Sequence, residues 1–122
     1  MISAYQHAVD GVDLYNLTDA EVNAFQDSFS GVELVHDAHR LALMNAYLHG
    51  VPAQIYCEDS LTQGAKRLKE YDVILTNPPF GTKKGGERTT RDDISFQTSN
   101  KQLNFLQVIY RSLKANGNAR CA

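Results

Sequence analysis

The sequence predicts an α/β fold built around a parallel sheet. Three observations predict it. Short strand-forming runs alternate with amphipathic helical stretches along the chain, the pattern of β/α units joined by right-handed crossovers. Most helical stretches carry a start or a stop signal. Polar residues also stand at or near strand ends, namely Glu33, Asp59 and Asn77. Open parallel sheets bind their ligands beyond the carboxyl ends of the strands.

Each element follows in order. Residues 1–9 suit a short helix that begins without a cap. Thr18-Asp19-Ala20-Glu21 is a capping box, in which the Thr18 hydroxyl and the Glu21 carboxylate satisfy free N–H groups at a helix start. That helix should run to about Ser28. Gly31-Val32-Glu33-Leu34-Val35 reads as a strand bounded by Ser30-Gly31. Residues 36–49 are helical, with Leu41, Met44 and Leu48 spaced by three and four on one apolar face. Gly50 is placed to end this helix, and Pro52 lies just beyond. A second strand covers 53–57 and a short helix about 63–69. The third strand, 72–76, has a Val-Ile-Leu run that suggests burial on both faces. Ser99 is the expected cap of the last helix, with Gln102 in the reciprocal position. Leu103, Leu106, Ile109, Tyr110 and Leu113 would form its buried stripe, and Asn116-Gly117 its end.

Composition sets the outer bounds. The chain has 122 residues, 43% of them hydrophobic, and a formal charge of -2. It suits one soluble domain near the usual size and buries roughly two-thirds of its unfolded surface. The charge balance argues against nucleic-acid binding by net charge alone and leaves room for a local basic patch. Cys57 and Cys121 lack metal-type spacing, and a reducing cytoplasmic compartment is the simplest expectation. No apolar run approaches the ~20 residues needed to span a membrane, and the given N-terminus shows no signal-peptide pattern. His36 and His39 are three apart with no third ligand nearby, so no metal site is expected.

Residues 71–93 read YDVILTNPPFGTKKGGERTTRDD. Pro78 and Pro79 have no N–H and stop the sheet ladder, and Pro78 holds Asn77 out of helical geometry. The exit is stiff, and its carbonyls stay available. The Asn77 side-chain carbonyl and the Pro78 backbone carbonyl are two fixed acceptors. Together they can take both hydrogens of one exocyclic NH2, which draws that nitrogen out of conjugation and frees its lone pair. Phe80 offers a face for a heteroaromatic ring, and base–aromatic stacking is worth roughly 1–3 kcal/mol. A plain proline turn would use the same residues without this chemistry.

Asn-Pro-Pro-aromatic after a buried strand resembles the motif of S-adenosylmethionine-dependent amino-methyltransferases. The blocks GVELVHDAHRLALMNAYLHG, EDSL, DVILTNPPFGTKKGGE and SNKQLNFLQVIYRSLKANG, in that order, resemble the modification subunit of type I restriction–modification systems. The likeness covers nearly the whole chain. It implies a Rossmann-like methyltransferase fold, incomplete here because the first strand and the last strands are missing, with residues 1–122 as a partial catalytic domain. It implies N6-methylation of a flipped-out adenine in DNA, with S-adenosylmethionine as cofactor. Asn77, Pro78, Pro79 and Phe80 match the catalytic motif. Glu33 matches the acidic residue that holds the cofactor's ribose hydroxyls, and Asp59 the one that contacts its adenine amine. Phe105 matches an aromatic of the adenine pocket. As partners the resemblance implies DNA, specificity and restriction subunits, and a second modification subunit. Glu33 as a surface charge, Asp59 as a turn residue and Phe105 as core are the ordinary alternatives.

The loop from about 81 to 98 is longer than a compact domain needs. Its Lys83, Lys84, Arg88 and Arg91 are candidates for phosphate contacts, though a disordered surface loop would have the same composition. The family's glycine-containing cofactor block, on its first strand, has no match here. The sheet is therefore expected to pair the 32–35 and 72–76 strands directly, with 53–57 on the outer side. The isolated chain is expected to be inactive. Two alternatives remain open at this stage: a non-catalytic remnant or interaction piece, and a methyltransferase for another planar amine such as a protein glutamine amide.

Overall fold

The computed structural model describes residues 1–79, 91–96 and 98–121. The described chain divides into two compact units, Met1–Glu58 and Asp59–Ala122.

The first unit contains helices α1 (Ile2–Val9), α2 (Asp19–Gln26) and α3 (His36–Leu48) and strands β1 (Phe29–Glu33) and β2 (Ala53–Cys57). Strands β1 and β2 pair in parallel, from Phe29 opposite Ala53 to Glu33 opposite Cys57. The α2 capping box forms as expected: Thr18 Oγ1 accepts from Glu21 N–H, and the Glu21 carboxylate accepts from Thr18 N–H. The Thr18 hydroxyl also donates to the Glu21 carboxylate at 2.6 Å, and this bond, followed by that from Thr18 N–H, holds the Glu21 carboxyl below the usual carboxylate range. Gly50 ends the α3 region with a φ of +62°, a conformation that costs glycine little because it has no Cβ.

Three aromatic rings build the centre of this unit. Tyr5 of α1, Phe25 of α2 and Phe29 of β1 meet at centroid separations of 5.6, 5.6 and 5.8 Å, tilted or edge-on. Strand β1 starts two residues earlier than the Ser30-Gly31 signal suggests, because Phe29 joins this cluster. Leu34 and Val35 leave the strand and stand exposed. The expected Leu41/Met44/Leu48 face of α3 is also exposed, at 59%, 59% and 73%. The inward face carries Ala46, which is buried, and the half-buried His39 and Ala42. Small side chains let a helix lie close to a sheet, and His39 Nε2 bonds the Ile55 carbonyl of β2 at 2.8 Å.

The second unit holds a 3₁₀ turn (Gln63–Arg67), strand β3 (Tyr71–Thr76), helix α4 (Lys101–Ser112) and strand β4 (Leu113–Cys121). Strands β3 and β4 pair in parallel, with α4 between them in sequence. The register jumps from Tyr71 opposite Leu113 to Val73 opposite Asn118. Residues 114–117 therefore bulge past Asp72. Leu61, Ile94 and Val108 form the core, with Phe105 packed against them.

Four expectations change here. Asn100, not Ser99, caps α4: its side chain accepts from Leu103 N–H at 3.0 Å. The helix ends at Ser112, and the polar run LKANGNARC becomes a strand because β3 pairs with it, not because its residues favour one. The buried face of α4 is Asn104, Val108, Ile109 and Ser112, while Leu103, Leu106 and Tyr110 are exposed. Apolar counting misses this face because its innermost member is Asn104, fully buried, with its Nδ2 donating to the Thr98 carbonyl at 2.8 Å. Finally, the expected β1–β3 pairing is not found among the described residues. Each has one described hydrogen-bonded neighbour, β2 and β4 respectively. The exposure of Val73 and Leu75, at 60% and 58%, runs against the expected burial of β3 on both faces and suits a strand with one described neighbour.

Candidate active site

Asn77 is the first residue after β3, whose last residue Thr76 lies opposite Cys121 of β4. Its side chain is exposed, Pro78 is half-buried and Pro79 is exposed. The strand thus delivers the Asn-Pro-Pro exit at the carboxyl end of a parallel pair, with the amide side chain open to a substrate. Phe80, Lys83, Lys84 and Arg88 lie outside the described residues.

Glu33 closes β1. Its Oε1 accepts from Val35 N–H at 2.8 Å, and its backbone carbonyl accepts from Glu58 N–H at 3.1 Å. A carboxylate has about four acceptor positions, and the turn takes one, so capacity remains for a pair of hydroxyls. His36 and His39, which follow on α3, both serve β2: His36 Nδ1 lies 3.2 Å from Cys57 Sγ, and His39 bonds Ile55. Among the described residues no group of three metal-binding side chains forms.

Asp59 heads a tight turn in the second unit. Its Oδ1 accepts from Leu61 N–H at 2.8 Å, and its carbonyl accepts from Thr62 N–H and from Thr62 Oγ1. Asp59 is half-buried. The turn role foreseen as its alternative is real, and it fixes the carboxylate without exhausting its acceptors. Leu61, two residues on, is 2% exposed and belongs to the cluster that Phe105 packs against. Asp59 and Phe105 are therefore attached to the same small core.

Arg91 departs from its expected role. It is 2% exposed. Its Nε and Nη2 donate to the two oxygens of Asp93 at 2.9 and 2.7 Å, and Nη1 donates to the Ser60 carbonyl at 3.2 Å. A guanidinium buried and forked onto a carboxylate is not presented to phosphates. Lys66 likewise pairs with Asp92. In the sequence Arg91 read as a cation of the 81–98 loop, a candidate for phosphate contact. A groove of about 260 Å³ lined by Ser95, Leu106, Gln107, Tyr110 and Arg111 contains none of the expected site residues.

Comparison with known proteins supplies the lineage. The N-6 DNA Methylase family model matches residues 12–121. The methylase subunit of the type I restriction enzyme StySPI of Salmonella potsdam is 37% identical over 107 residues, which cover 83% of this chain. That of EcoKI, from Escherichia coli K12, is 37% identical over 109 residues. The chain spans about 20% of the length of either relative. The crystal structure of the EcoKI M protein superposes with a TM-score of 0.83 at 33% identity, over 98% of this chain and 26% of that one. That likeness supports an incomplete Rossmann-like methyltransferase fold, and the chain belongs to the N-6 DNA methylase family.

Proposed function

We propose that this chain is part of a type I modification subunit that methylates the N6 amine of adenine in DNA. The observation that carries the reading is Asn77-Pro78-Pro79 leaving the carboxyl end of β3 with Asn77 exposed. Asn77 Oδ1 and the Pro78 carbonyl accept the two N–H groups of the target amine. As the nitrogen becomes tetrahedral, its lone pair turns toward the incoming methyl and the N–H groups gain positive character. Both acceptor bonds strengthen at that point, so they favour the transition state over the ground state. Phe80 stacks on the extruded base, which a duplex must flip out to reach the pocket.

S-adenosylmethionine supplies a methyl group already activated on a sulfonium. Glu33 would hold its ribose hydroxyls, Asp59 its adenine amine, and Phe105 would line the adenine end. The spare acceptor capacity of both carboxylates supports the fit. The chain's own contribution is orientation, which is worth more here than acid–base help. DNA, specificity and restriction subunits, and a second modification subunit are its proposed partners. Similarity to type I methylase subunits favours DNA adenine over a protein glutamine amide or a non-catalytic role.

The test is a graft of residues 12–121 into the matching part of the EcoKI methylase subunit, followed by nucleoside analysis of treated DNA. N6-methyladenine at the EcoKI site is the expected product. A soluble chimera that leaves adenine unmodified overturns the reading.

A further inference from the structure

We propose that Arg91 is a positioning residue for the adenine end of the cofactor, acting through Asp59. The inference rests on the role proposed for Asp59 and goes beyond it.

The geometry is local to the second unit. Asp59, Ser60 and Leu61 form one turn. The Asp59 carboxylate is tied to Leu61 N–H, and the Asp59 carbonyl to Thr62. These bonds set the inner side of the turn. The Ser60 carbonyl, between these two anchors, accepts from Arg91 Nη1 at 3.2 Å. Arg91 cannot easily shift, because Asp93 grips the rest of the fork with two bonds. The side chain is 2% exposed, so water does not compete for these donors. Three residues later Ile94, 5% exposed, packs into the cluster containing Leu61.

The segment 91–94 therefore holds the turn at two points, a charge-assisted bond to Ser60 and an apolar contact to Leu61. A planar guanidinium can serve Asp93 and Ser60 together, whereas an ammonium is a point charge without the fork. Loosening that hold lets the turn, and the Asp59 carboxylate with it, sample other orientations. A contact to one amine depends on such orientation far more than apolar stacking does.

The readout is discrimination at the amine. S-adenosylhomocysteine carries the 6-amino group, and S-inosylhomocysteine carries a carbonyl oxygen there. In the complete methyltransferase carrying this segment, calorimetric titration should give a preference for the adenine form of about tenfold or more, the scale of one good polar contact. Asp59→Asn keeps an acceptor for Leu61 N–H and offers an N–H to the inosine oxygen, so it should abolish the preference. Arg91→Lys should cut the preference several-fold, and adding it to Asp59→Asn should change nothing further. Asp93→Glu moves the fork while keeping its charge partner and should act in the same direction, which provides a second variant if Arg91→Lys folds poorly. A ratio of two affinities measured on one folded sample is insensitive to simple loss of stability. An undiminished preference in Asp59→Asn overturns the Asp59 reading itself. Loss in Asp59→Asn with equal weakening of both ligands in Arg91→Lys and Asp93→Glu overturns the inference alone.

Discussion

Gly117 of β4 faces the carbonyl of Tyr71 so closely that a Cβ built on it would lie 2.8 Å from that oxygen. The same Cβ would meet Leu113 Cδ2 at 2.9 Å and the Asp72 carbonyl at 3.2 Å. The bulge at the Tyr71–Val73 register jump brings the two backbones together, and only a residue without a side chain fits between them.

Gly117→Ala should therefore destabilise the second unit by about 1–3 kcal/mol, the usual cost of overpacking. Gly31→Ala is the control. Its Cβ meets the Met1 Cε terminus at 3.0 Å, the end of a flexible side chain that can move aside. Urea unfolding midpoints of the two variants should separate clearly. Equal midpoints would show that β4 does not press on β3 at this point.

Asp93 makes stability depend on acid. The hydrogen bonds and charge of Arg91 hold its carboxyl below the usual carboxylate range, against the opposing effect of burial. A group with a depressed native pKa stabilises the fold in full above its unfolded value, about 3.9 for aspartate. That contribution disappears as pH falls through the lower native value. Asp92, lowered mainly by its hydrogen bond from Lys66, adds in the same direction. Asp93→Asn should be less stable than the parent at pH 7 and should lose less stability between pH 5 and 2. Parallel stability–pH curves for parent and variant would contradict this.

What the sequence revealed and what it hid follow from range. Local signals were legible: the Thr18/Glu21 capping box, Gly50 after α3 and the bounds of β2 all depend on neighbours within about four residues. Asn77-Pro78-Pro79 was legible because proline stops a strand by its own covalent geometry. The buried face of α4 was not, because two stripes of similar period run along that helix and only tertiary packing selects the one containing Asn104. Strand β4 was hidden for the same reason, since LKANGNARC becomes a strand only beside β3. Arg91 read as a loop cation because nothing in sequence brings Ser60 to it across 31 positions.

Asn77→Ala, in the complete enzyme, should remove one of two acceptors for the target amine. The contact gains most as the nitrogen rehybridises, so the loss should fall on the methyl-transfer rate, by roughly 10²–10³-fold as for other single transition-state hydrogen bonds. Cofactor affinity should stay near the parent value, because the role proposed for Asn77 concerns the other substrate. Single-turnover methylation with equilibrium cofactor titration separates the two quantities. Full activity in the variant would remove Asn77 from the mechanism.

The isolated 122-residue chain should bind S-adenosylmethionine weakly or not at all. In the proposed site Glu33 and Asp59 would serve the ribose and the adenine, but the methionine half needs a close backbone approach that glycine-rich turns provide. The glycines nearest the start, Gly11 and Gly31, do not stand in a Gly-x-Gly setting. Gly31 lies inside β1, where its Cβ position already meets Met1 and Ile55. Without methionine contacts the donor methyl is not oriented toward Asn77, and the entropic advantage of fixed geometry is lost. Calorimetric titration of the purified chain is the measurement, with the complete enzyme titrated alongside. Millimolar or undetectable binding by the chain, against tight binding by the complete enzyme, is the expected result. Micromolar binding at one cofactor per chain would mean that these 122 residues build a methionine site from groups other than a glycine-rich turn.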